Sequence, residues 1–325
     1  MNKRMIWLAA LLNAATQKLE VPKTYSSKFE GSGNKYLSPT EMIRVDDMMD
    51  HFVVAGIVGR NEVLPILGKD GFSKLEFEPD IIGGEFPYSA SDITTVNAGV
   101  PTYTTNGKII DSVKAMEAKY VKMGAAAIVN KFERQCVDAY LKGIYIDKKG
   151  KELNVGVKTN KSLALASKII SDVILGLALD WTTKKGGRPK IEVGLTVFNK
   201  IKNEANDTKQ NINKVSFSYT DTGASLQVGA LKIELLVDGI GTDGKVVDTS
   251  KMIILSDPKT LAVGYGCLTY GDVKTNETKI IKAEKLAGET RVEATSGSKG
   301  IWTKSAPMPV LANIKKYIRY VATGL

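Results

Sequence analysis

The stretch SVKAMEAKYVKMGAAAIVNKFERQCVDAYLKG, residues 112–143, decides the reading of this chain. It contains no proline, Gly143 stands where a helix would stop, and Lys142 complements the dipole at that end. The pattern predicts one helix over residues 113–142, a rod of roughly 45 Å at 1.5 Å per residue. Globular helices average about 11–12 residues, so the rod needs an explanation. Val121, Ala125, Ile128, Phe132, Cys136 and Ala139 form a sustained apolar stripe along it. Lys119, Lys122, Lys131 and Arg134 fall largely off that stripe. A coiled coil is one account, but the small alanines and the lack of flanking charge pairs favour a helix laid along a sheet.

The rest of the composition is that of an ordinary folded protein: 325 residues, 43% apolar and 25% charged, enough for one large domain or two to three smaller ones. Cys136 and Cys267 make neither a disulfide framework nor a metal-type spacing and read as reduced, buried thiols. The opening MNKRMIWLAALLNAATQ imitates a secretory signal, but its apolar run over residues 5–12 is short for that role and far too short to span a bilayer. We read it as a terminal amphipathic arm or helix; no later segment could cross a membrane. The net charge of +10 is uneven, with +3 over residues 114–142 and +6 over residues 279–325. Solvated faces account for this, and so do surfaces that meet a polyanion without reading its sequence.

Along the chain, residues 1–59 mix polar loop with short apolar pieces, as an extended arm with small helices would. Residues 60–108 turn β-like: Leu75 and Phe77 alternate with Lys74, Glu76 and Glu78, and Gly83, Gly84, Pro87 and Pro101 interrupt. This long two-stranded excursion has little from which to build a private core, so it must lie on something else. Residues 160–272 alternate α and β. Leu163, Ala166, Ile170, Val173 and Leu177 have helical spacing, RPKIEVG is a short strand, TVFNKIKNEAN a helix with Thr196 as N-cap, and ALKIELLVD and KMIILSD are strands. Residues 279–322 are mostly strand-like.

Chemistry finds little to work with. The one histidine, His51, follows Asp46, Asp47 and Asp50 and reads as part of a solvated helix face. A zinc site would need more Cys or His than the chain has. GIGTDG matches Gly-x-Gly-x-x-Gly at Gly239, Gly241 and Gly244, yet a dinucleotide site needs a helix to begin there, and KVVDTSKMIIL is strand-like. A hairpin is expected instead. Asp238, Asp243 and Asp248 lack calcium-loop spacing. No cofactor, no metal and no enzymatic activity are expected.

Four segments, in order, resemble the major head protein of lambda-type tailed phages, with the Hong Kong-97-type capsid fold. They are VDAYLKGIYIDKKGKELNVG, GALKIELLVDGIGTDGKVVDTSKMIIL, GYGCLTYGD around Cys267, and KSAPMPVLANIKKYIRYVAT; RNEVLPILGKDGFSKLEFEP fits more loosely. The resemblance covers residues 60 to the C-terminus. It implies an α+β fold with an N-terminal arm (1–59), an extended β loop (60–108), a peripheral domain with the long spine helix (109–159), an axial domain (160–272) and peripheral return strands (273–325) running under that helix. It implies a shell of hexamers and pentamers, a virion capsid assembled in the host cytoplasm with a portal, a scaffolding protein and in some cases a decoration protein, enclosing double-stranded DNA. Because the chain opens directly on the arm, a separate scaffold is expected rather than a fused one. Lys119, Lys122, Lys131 and Arg134 become candidates to face DNA, and Leu75, Phe77, Phe86, Tyr88 and Tyr103 candidates for the intersubunit loop. Some relatives crosslink Lys to Asn, for which Lys69 or Lys74 with Asn276 or Asn313 are the available pairs, although lambda-type heads use decoration instead. An encapsulin-like or gene-transfer-agent shell shares the fold and stays open. So does a soluble basic nucleic-acid-binding protein and, more remotely, an enzyme built on a carboxylate pair.

Overall fold

The computed structural model describes residues 3–17, 23–46, 74–89, 112–165, 169–206, 215–220, 223–228, 231–272, 277–290 and 299–324. His51, Lys69, Tyr103 and Asn276 lie outside the described residues.

The long helix is present as Ser112–Val137 and runs on through a wider π-helical turn, Asp138–Lys142, into Gly143. Gly143 has φ +71°, its N–H donates to the Ala139 carbonyl at 3.2 Å, and a Cβ there would come within 2.4 Å of the Val157 backbone. Conformation and space both require glycine at this stop. The apolar stripe is buried throughout, from Val121 to Ala139. It lies on a sheet and is not wound into a coiled coil. Three antiparallel strands, Lys285–Glu289, Lys299–Ser305 and Ile82–Tyr88, pair in that order beneath it. Helix and sheet are in close contact at Gly124, where a Cβ would sit 2.3 Å from the Thr303 hydroxyl oxygen. The expected N-terminal helix forms over Lys3–Gln17, and its Leu8 and Leu12 pack among Met116, Val121, Ala125, Ala287 and Ile301.

A second, seven-stranded mixed sheet runs in the order Lys161–Ala164, Tyr317–Thr323, Met252–Ser256, Lys190–Val193, Leu231–Leu235, Gly223–Val228 and Val215–Thr220. Its central strands are buried on both faces because both are covered, one by an apolar core and the other by the end of the long helix. Ile253 and Leu255 point to a core shared with Trp181, Val197, Phe198 and Ile201 of the helices Leu175–Lys185 and Leu195–Asn206. Ile254 between them faces the core around the end of the long helix. GIGTDG forms the expected hairpin: Gly239–Ile240 pairs antiparallel with Val246–Val247, and no helix starts at those glycines.

Four expectations are corrected. Leu163 belongs to the strand Lys161–Ala164, because the backbone there pairs with residues 320–323; the next described helical element is Ile169–Ile174. Thr196 lies inside the helix that opens at Leu195, so it is no N-cap. The return strands divide. Lys285–Glu289, Lys299–Ser305 and Pro307–Leu311 stay near the long helix, but Tyr317–Thr323 enters the seven-stranded sheet between two strands of the 160–272 region. The β excursion also finds a core in its own chain: Phe77 and Tyr88 are buried, Tyr88 beside Met116.

Candidate nucleic-acid surface and the junction behind it

The long helix separates its charges by direction. Its three acidic residues all turn toward the rest of the chain. Glu117 is buried, accepts from the Tyr88 hydroxyl at 3.2 Å and pairs with Arg4. Glu133 accepts the backbone N–H groups of Tyr25 and Ser26, at 2.7 and 2.8 Å, at the start of the short helix Ser26–Gly31. Asp138 is wholly buried, 2.9 Å from the Lys142 ammonium, and accepts the Thr242 N–H at 2.7 Å from the hairpin. Lys119, Lys122 and Arg134 are exposed and Lys131 partly so, and among the described residues none of the four is in an ion pair. The outer face is therefore more positive than the +3 of residues 114–142 suggests. This is the one place where the four predicted cations come together, and the sequence did not show which way the acids point.

The intersubunit candidates are placed differently. Phe77 and Tyr88 are enclosed by their own chain, so they are not free for a neighbour. Phe86 stacks on Tyr120 of the long helix with ring centroids 5.6 Å apart, and Tyr88 lies 6.1 Å from the same ring. Leu75 sits in the strand Lys74–Phe77, in register with Val45. Asn313 caps the turn Ile314–Lys316 by accepting the Lys315 N–H.

Behind the basic face, where the helix ends, a polar cluster that sequence reasoning missed joins the helix to the seven-stranded sheet. Register puts Glu192, Ile254 and Arg319 side by side on three neighbouring strands, all on the face toward the helix end. Glu192 is 2% exposed. It accepts from the Tyr140 hydroxyl and pairs with Lys28 at 2.8 Å and Lys190 at 3.2 Å. Burial pushes its carboxyl up, but the Lys28 and Lys190 cations outweigh that and bring it down to about 2. Lys28 also lies over the Tyr25 and Tyr140 rings, at 4.6 and 4.5 Å. Arg319 donates to the carbonyls of Leu141, Val157 and Lys158 and to the Asn160 side chain. It thus supplies a cation and donors where the helix leaves carbonyls unpaired. The Tyr317 hydroxyl donates to the Tyr140 carbonyl in the same turn.

Among the described residues, no helix is long and apolar enough to cross a membrane, and no group of three or more His, Cys, Asp or Glu side chains is placed to hold a metal ion.

The long helix thus lies on one sheet and is tied at its end to a second. The family model for phage major capsid protein E matches residues 8–322. The chain belongs to that family and is a shell-forming major capsid protein of a tailed phage. No curated protein matches it. Among solved structures it is similar to a prophage protein of E. coli CFT073 described as a capsid protein, at 15% identity and a TM-score of 0.52, covering 98% of this chain and 99% of that one. The mature capsid of bacteriophage PhiM1 is also similar, at 12% identity and a TM-score of 0.44 over 90% and 86% of the two chains. The fold is the α+β Hong Kong-97-like one. The family is structural, and the chain is a component of the virion.

Proposed function

We propose that this chain closes as hexamers and pentamers into an icosahedral head and that the outer face of its long helix lines the space holding double-stranded DNA. The observation that carries the second part is the sorting of charge on that helix. Glu117, Glu133 and Asp138 are spent inside the subunit, while Lys119, Lys122, Lys131 and Arg134 have no acidic partner among the described residues. Such a surface neutralises phosphates without regard to base sequence and is salt-sensitive for that reason.

In this reading residues 1–59 act as the arm, 60–108 as the loop that reaches a neighbour, 109–159 with most of 273–325 as the peripheral domain, and 160–272 as the axial domain. A portal and a scaffolding protein complete the particle in the host cytoplasm. The test is to express the chain with its neighbouring genes, image the product and extract its nucleic acid. Closed particles holding double-stranded DNA support the reading. Particles filled with protein cargo replace it with an encapsulin-like shell, and monomers that bind DNA without forming particles overturn it.

A further inference from the structure

One cleft has no part in the helix face or the junction. It lies between the short helix Ser26–Gly31 and the strand Lys285–Glu289, and it has two contiguous parts that share Lys23, Glu30 and Lys285. The inner part is a cavity of about 20 Å³ lined in addition by Ser26, Phe132 and Tyr265. The outer part opens past Lys35 and Glu284.

Two groups here lack what their burial demands. Ser26 is 2% exposed, and its hydroxyl has no hydrogen-bond partner among the described residues. Lys285 is part-buried, and among the described residues no carboxylate lies within ion-pairing distance of its ammonium. Glu284 is held by Lys35 at 3.3 Å, and Glu284 and Glu30 act on Lys285 only from farther away. Burial accordingly pushes the Lys285 amine below its ordinary value, with the Lys23 and Lys35 cations adding to that and Glu30 and Glu284 opposing it. An unpaired, part-buried ammonium and an unpaired buried hydroxyl beside one cavity are both costly unless something supplies an acceptor.

Size and charge together select the acceptor. A water-sized group needs at least about 10–15 Å³ of such space, so the inner cavity takes one oxygen, and the rest of its bearer lies in the outer cleft beside Glu30 and Glu284, which oppose a doubly charged phosphate more than a singly charged carboxylate. A planar carboxylate places one oxygen there and leaves the other in the outer cleft. We propose that this cleft is a socket for a single carboxylate, one oxygen at the Ser26 hydroxyl and the other at the Lys285 ammonium, contributed by an Asp or Glu side chain of a second copy of this chain. The carrier rests on the shell-forming reading; the carboxylate chemistry does not.

The experiment uses the full chain, unassembled and assembled, with sodium acetate as probe against sodium chloride and sodium phosphate at equal ionic strength. Unassembled protein is expected to show a saturable rise in melting temperature with acetate alone. Lys285→Met should weaken that binding by about tenfold or more, as loss of a charged hydrogen bond does, and Ser26→Ala should weaken it less. Without acetate, Lys285→Met should melt no lower than the wild type, because it removes a desolvated unpaired charge. Acetate no better than chloride, phosphate as good as acetate, or binding unchanged in both variants overturns the socket. In assembled shells the neighbour's carboxylate should already fill it, so acetate should have no site; undiminished acetate binding overturns the carrier. Failure to form shells at all counts against the shell reading, and the unassembled arm still decides the socket.

Discussion

The hydroxyl of Tyr140 donates to Glu192, and through that bond the last turn of the long helix is fastened to the middle of the seven-stranded sheet. The bond joins the two halves of the subunit at a single buried carboxylate. Its neighbours Lys28 and Lys190 come from the short helix Ser26–Gly31 and from the sheet, so three separate stretches of chain depend on one charge.

That dependence gives a pH signature. The Glu192 carboxyl is lowered from 4.5 to about 2 on folding, so its contribution is complete above about pH 4.5 and is lost as the pH falls through about 2. Glu192→Gln should cost about 3 kcal/mol at pH 7. Denaturant midpoints of the two proteins should converge between pH 4.5 and 2. A gap that stays constant over that window would show that the charge is irrelevant.

Arg319 serves three carbonyls and one amide with a planar fork that no lysine can copy. Arg319→Lys should therefore destabilise by about 2–4 kcal/mol despite keeping the charge. The loss should appear in urea unfolding and in faster amide exchange at residues 141–144, where the helix terminates.

Gly124 and Thr303 fit as a pair. A methyl group at Gly124 meets the Thr303 hydroxyl and methyl at 2.3 and 2.7 Å. Gly124→Ala should cost about 1–3 kcal/mol through overpacking, in spite of the better helix propensity of alanine. Adding Thr303→Ala should restore much of it. A double-mutant cycle with no coupling would mean the helix does not rest on that strand.

Neutralising Lys119, Lys122, Lys131 and Arg134 to glutamine should leave thermal stability nearly unchanged, since each exposed substitution without partners is worth within about 0.5 kcal/mol. Empty shells should still form, and the length of DNA retained per particle should fall. Full-length genomes in such particles would remove the helix face as a DNA surface.

The sequence made the rod legible because burial along it follows one period without interruption, from Val121 to Ala139, and because Gly143 can do only one thing at a helix end. The capsid fold followed from the order of the segments around that rod. What stayed hidden depended on pairing between distant residues. In KIEVG and YIRYV, Glu192 and Arg319 alternate with apolar neighbours as solvent-facing residues do. Alternation says which face of a strand a residue occupies, not what lies over that face, and here the helix end does. Leu163 failed for the related reason that its helical spacing is overruled by a strand arriving from residues 320–323. Tyr88 could not be assigned without knowing that residues 82–88 pair with residues 299–305. The four cations were visible as residues, but the inward turn of Glu117, Glu133 and Asp138 was not.

The placement of the strand Tyr317–Thr323 has a consequence for the order of events during synthesis. It fills a gap between Lys161–Ala164 and Met252–Ser256, both of which leave the ribosome well before it does. Until residue 323 has emerged, that sheet is split in two and Arg319 is absent from the helix terminus. A chain still lacking residues 317–323 therefore lacks the strand that joins Lys161–Ala164 to the rest of that sheet.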